Sequence, residues 1–135
     1  MIFKHKTAIE VNIEDLAYSE ALKIIEPQYI RSYLVSHGWS DKVSTSTYNI
    51  FRKESEEVLL PNSNTYRDYV WRIEELICDL AKMENRNRIN ILSEIFGFAY
   101  KETSWSDIPI EVKNIIRISK VYDYYDSMHR LKKKT

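Results

Sequence analysis

Residues Pro61–Ala81 read PNSNTYRDYVWRIEELICDLA, and the change of grammar inside them separates a β-rich stretch from a helical half. Pro61, Asn62, Ser63 and Asn64 interrupt the extended run Glu57–Leu60. Tyr66, Tyr69, Val70, Ile73, Leu76, Ile77, Leu80 and Ala81 then recur at i, i+3, i+4, i+7, the signature of a helix with one apolar face. Thr65 with Asp68 three residues on predicts a capping-box start. The spacing therefore predicts a central helix over Tyr66–Ala81 that buries Ile73, Leu76, Ile77 and Leu80.

Upstream, Val43–Phe51 is rich in Thr, Tyr, Ile and Phe, and with Glu57–Leu60 it predicts a hairpin joined by the polar segment Arg52–Glu56. Before the hairpin, Pro27 opens a helix, Tyr29, Ile30, Tyr33 and Leu34 give it an apolar face, and Gly38 stops it. A weaker helical pattern covers Leu16–Ile25, and Ala8–Ile13 alternates like a short strand. Downstream, Asn85–Arg88 punctuates. Ile89, Leu92, Ile95 and Phe96 predict a helix closed by Gly97. A loop with Trp105 leads to Pro109 and a last helix through Val112, Ile115, Ile116 and Ser119, followed by Tyr122–Tyr125 and a flexible basic tail over about 128–135. The expected fold class is α+β. A small antiparallel sheet, the hairpin plus an N-terminal strand, packs against several helices, and the second half is mostly helical.

The 135 residues suit one domain, 1–135. Twenty Lys and Arg balance twenty Asp and Glu, so the whole-chain charge makes no electrostatic case for nucleic acid or an anionic membrane. Two glycines exclude a dinucleotide-binding or phosphate-binding glycine loop, and one cysteine excludes internal disulfides and multi-cysteine zinc sites. Met1–Thr7 lacks the apolar run of a signal peptide, which with the lone cysteine fits the cytoplasm.

No catalytic constellation emerges. His5, His37 and His129 lack metal-ligand spacing, and His37 beside Gly38 reads as a helix C-terminal cap. Cys78 is surrounded by Glu74, Glu75 and Asp79 and makes a poor nucleophile. The sequence thus points to no enzyme, no cofactor and no metal.

From Tyr29 to Leu80 the order helix, Gly-Trp, hairpin, V-L-L-P, helix resembles the HicA-type small toxins, whose fold is similar to a double-stranded-RNA-binding domain. Leu34, Gly38 and Trp39, Tyr48–Phe51, Val58–Pro61 and Tyr69–Leu80 carry the likeness. The resemblance implies a ribonuclease whose histidine lies on the hairpin. Here that place reads Ser44, Thr45, Ser46, Thr47, Tyr48, so the catalytic base has no counterpart. Tyr33–Trp39, Val58–Pro61 and Asp68–Leu76 also resemble an uncharacterised bacterial segment that accompanies defence and toxin–antitoxin genes.

The expected function is a non-enzymatic protein-interaction partner, a small component of such a defence or toxin–antitoxin set. Trp71 points about 150° from the centre of the apolar stripe. Trp71, Arg67 and Cys78 are its expected contact patch, for a protein partner or for self-association. The alternative is an RNA- or DNA-binding module using Arg67, Arg72, Arg86 and Arg88, interleaved with Tyr66 and Trp71. A second alternative is a degenerate HicA-like ribonuclease. No membrane partner is expected.

Overall fold

The computed structural model describes residues 13–134, with side chains through Met128. Helix α1 covers residues 13–22. It is followed by α2 (Pro27–Ser36), β1 (Ser40–Ser44), β2 (Tyr48–Lys53), β3 (Glu56–Pro61), α3 (Tyr69–Glu84), α4 (Arg88–Tyr100), a 3₁₀ turn (Trp105–Asp107) and α5 (Ile110–Lys134). The strands form one antiparallel sheet in the order β1-β2-β3, so the fold is α+β. Helices α2 and α3 cover one sheet face, and α4 lies against α2, α3 and α5. Phe51, Val58 and Leu60 from the sheet meet Ile30, Tyr33, Leu34, Ile73, Leu76, Ile77 and Leu80 in a single core. No described helix is long and apolar enough to cross a membrane.

Two helices end by the same device. In α2, Pro27 opens the first turn and Gly38, at φ +90°, lies just past the last. The Trp39 amide donates to the Leu34 carbonyl at 3.0 Å and the Gly38 amide to Val35 at 3.1 Å, a Schellman motif. A Cβ on Gly38 would meet only the Lys53 side chain at 3.6 Å, so the backbone angle rather than crowding requires glycine. In α3 the left-handed residue is Asn85 at φ 52°, and the Arg86 amide donates to Ala81 at 3.0 Å. Both chain reversals lift a basic residue, His37 or Arg86, to a helix C-terminus.

The sheet has one strand more than the expected hairpin. Thr45 divides the Val43–Phe51 run, because its hydroxyl accepts the Tyr48 amide at 3.1 Å and the Thr47 amide at 3.3 Å and so folds a turn between β1 and β2. A bulge at Lys42 then shifts the register, and Val43 pairs with Ile50, which pairs in turn with Leu59. These three form an apolar row on the face away from the core, with Val43 and Leu59 each 49% exposed.

The helical expectations hold at their centres and shift at their ends. Ile73, Leu76, Ile77 and Leu80 are buried as expected. However, α3 starts at Tyr69 and not at a Thr65 capping box. Thr65 is held by Ser63 Oγ, which lies 2.7 Å from its hydroxyl, and Asp68 takes the cap position. Val70 leaves the stripe and is exposed. Gly97 does not close α4. It is exposed mid-helix, and the apolar Phe98 and Tyr100 beyond it continue onto the core. Helix α5 runs through Tyr122–Tyr125 and the expected tail as far as Lys134, since no Gly or Pro interrupts residues 110–134. The expected strand Ala8–Ile13 lies outside the described residues except for Ile13, which is helical.

Candidate functional site

Beside β3 runs an open groove of about 660 Å³. Tyr48, Val58, Leu59 and Pro61 from the sheet form one wall; Arg72, Glu75, Leu76 and Asp79 of α3 form the other, and Tyr66 and Arg67 close an end. The segment Asn62–Asp68 is pinned across that end, because the Tyr66 hydroxyl donates to Asn62 Oδ1 at 2.5 Å and to the Ser46 carbonyl at 3.3 Å. Strand β3 is one of the two edges of the sheet, β1 being the other. Asn62 donates to the Thr47 carbonyl at 3.1 Å and Tyr48 lies opposite Pro61, which sets the phase of the ladder. Residues 56, 58 and 60 therefore bond to β2, while Glu57 and Leu59 turn their amides and carbonyls outward. Pro61 has no amide to offer and ends the edge.

Charge in the groove is only partly internal. Arg72 Nε bonds Asp68 Oδ2 at 3.1 Å, and Arg52 pairs with Glu57. Among the described residues Arg67, Glu75 and Asp79 make no ion pair, which leaves one cation and two carboxylates facing the cavity.

Of the residues singled out in the sequence, Trp71 is 60% exposed on the outer side of α3. The Arg72 guanidinium lies 5.0 Å from its ring centroid. Trp105 does not cover it, lying instead against α5. Cys78 is half-buried two turns further along the same side of α3. Arg67 precedes the helix rather than projecting from it, and lines the groove. Trp71 and Cys78 thus share one side of α3, beside the groove but not lining it, whereas Arg67 enters the groove.

The four arginines of the nucleic-acid alternative do not converge. Arg72 is held by Asp68, Arg86 by Glu84 and Glu94, and Arg88 by Asp15 at 2.9 Å while its guanidinium covers the Tyr18 ring at 4.1 Å. Carboxylates of the same or a neighbouring element take each of these three charges.

A second polar assembly had no motif to announce it. At the converging ends of α2 and α3, the Tyr33 hydroxyl donates to Glu84 Oε1 at 2.8 Å and accepts from Arg86 Nη1 at 3.1 Å. Arg86 Nη2 reaches Glu94 Oε1 at 2.9 Å, His37 Nε2 lies 2.5 Å from Glu94 Oε2, and the His37 ring stacks on Tyr33 at 4.1 Å. Burial opposes the charged form of Glu94, yet the hydrogen bonds from His37 and Arg86 hold its carboxyl below the usual range. Burial, then the bond to Glu84, pushes the Tyr33 hydroxyl up. One clue was available: Glu84 is an acid in the last turn of a helix, where the dipole disfavours it unless a cation such as Arg86 is near. Among the described residues no group of three or more His, Cys, Asp or Glu is placed to hold a metal ion.

No family model matches the chain, and no match emerges among curated proteins or solved structures.

Proposed function

We propose that the protein is a non-enzymatic interaction module that takes an extended segment of a protein partner along the free edge of β3. One observation carries this: the outward amides and carbonyls of Glu57 and Leu59 border a groove whose other wall is a helix. A strand added to such an edge gains main-chain hydrogen bonds, and pockets beside it select alternate side chains. Leu59, Val58 and Leu76 take apolar residues, Glu75 and Asp79 take a basic one, and Arg67 takes an acid at the far end. Trp71 and the row Val43–Ile50–Leu59 extend the contact surface on either side. The bacterial setting, a small component of a defence or toxin–antitoxin set, rests on the resemblance of Tyr33–Trp39, Val58–Pro61 and Asp68–Leu76.

The test is selection of displayed random peptides on the purified chain, followed by binding of the enriched peptide to variants. Enrichment of alternating apolar residues with one Lys or Arg is expected. Leu59→Pro removes one outward amide without touching the β2 ladder and should weaken binding at least ten-fold. Trp71→Ala should weaken association by roughly 2 kcal/mol or more while folding stays intact. Enriched peptides that bind Leu59→Pro and wild type alike would overturn the edge. Mass measurement by light scattering separates a foreign partner from a second copy of this chain, which would appear as a dimer lost in Leu59→Pro.

A further inference from the structure

We infer that Trp105 and the basic stripe of α5 form a binding site for single-stranded nucleic acid, separate from the β3 groove. Trp105 opens the 3₁₀ turn between α4 and α5, and its carbonyl accepts the Ile108 amide at 3.2 Å, which fixes the turn. Trp105 is 44% exposed. Lys113 Nζ, the Arg117 guanidinium and Lys120 Nζ lie 5.5, 5.6 and 5.7 Å from its centroid. These three follow i, i+4, i+7 on α5, so they form a single stripe and approach the ring from the side of that helix.

Charge accounting sets this stripe apart from the arginines of α3 and α4. Among the described residues none of the three cations pairs with a carboxylate, although Asp107 and Glu111 are close in sequence. Arg72, Arg86 and Arg88 are each held by acids. Three like charges gathered beside one exposed aromatic ring make a local positive field that favours an anion from outside. A nucleobase stacks on an indole face whatever its identity, while phosphates of the same strand meet cations beside it. Single-stranded nucleic acid supplies both groups. A duplex hides its base faces, and an acidic peptide has none to offer. The net charge of zero is compatible with this, because the field that matters is local and the compensating acids lie elsewhere.

The experiment measures fluorescence anisotropy of a labelled single-stranded oligothymidylate of about 12 nucleotides with the full chain across a salt series. The expected slope of log affinity against log salt is about −2, from three phosphate contacts on a single strand. Each of Lys113→Gln, Arg117→Gln and Lys120→Gln should flatten it by about 0.7. Trp105→Ala should lower affinity roughly five-fold or more with the slope unchanged, and Trp105→Phe should retain most of it. Trp71→Ala, on another helix, should leave it unchanged. Thermal melts confirm that each variant is folded; if Trp105→Ala is not, Trp105→Phe against Trp105→Leu reads the stacking instead. The site is overturned if a duplex or polyglutamate binds as tightly as the single strand, if no salt-dependent binding occurs, or if loss of the ring has no effect. None of these outcomes bears on the β3 groove.

Discussion

Around Glu94, each charged or hydroxyl group already holds another: Tyr33 has Glu84 and Arg86, Arg86 has both acids, and His37 has Glu94. Along β3 the same kinds of side chain, with two backbone amides added, stand beside a cavity with part of their bonding capacity unused. Charge and residue type do not tell these regions apart. What does is how far each polar group is satisfied within the chain. A saturated network ties elements together and has nothing to give a ligand. An incomplete one is tolerated only where water, or a partner, completes it.

The largest expected effect lies beneath the groove. Leu76 lines it yet is only 3% exposed, so its side chain is core as well as wall. Leu76→Ala should cost about 2–5 kcal/mol in urea unfolding. An unchanged midpoint would mean that the groove is shallower than its walls indicate, and the contrast with the cluster would collapse.

Next come two arginines that should differ. Arg86→Ala leaves Glu84 and Glu94 facing one another without their shared cation. In this half-exposed setting it should cost about 1–3 kcal/mol, less than a fully buried pair. Arg67→Ala, in the groove, should stay within about 0.5 kcal/mol. Equal costs in denaturant titrations would erase the distinction.

A smaller effect is expected from acid. The folded-state pKa of Glu94 is lowered, so the stability it contributes is fully present above the ordinary carboxylate value of about 4.3. It is lost as pH falls below that value and through the folded one. Melts between pH 7 and pH 3 should show a steeper acid limb for wild type than for Glu94→Gln, and matching limbs would count against the cluster. The smallest effect is a gain. A Cβ on Gly97 would meet nothing within 4 Å and its φ is not positive, so Gly97→Ala should stabilise α4 by about 0.5–1 kcal/mol and leave peptide binding at β3 unchanged.

What could be read in the sequence follows the range of the interactions involved. Pro27 and Gly38 bound α2, and the buried core of α3 follows from its period, because both signals are local. The extra strand was hidden because Thr45, Ser46 and Thr47 sit in a β-rich run, and only the Thr45 hydroxyl bonds reveal the turn. Gly97 misled because the packing of Phe98 and Tyr100 outweighs its low helix propensity. Arg67 and Trp71 could be named, but not the groove, since that depends on β3 being an edge. The Glu94 cluster escaped entirely: His37 finds its partner 57 positions away.

Pro61 bears finally on how this protein behaves at high concentration. An unpaired strand edge is where copies ordinarily stack into fibrils. Here the open stretch is short, bounded by the left-handed turn residue Glu54 at φ 56° and by Pro61. It offers only the outward groups of Glu57 and Leu59, with a carboxylate on the first of them. A stack of many chains would meet a missing amide at every layer. A single imino acid thus leaves the edge open to one added strand and stops it short.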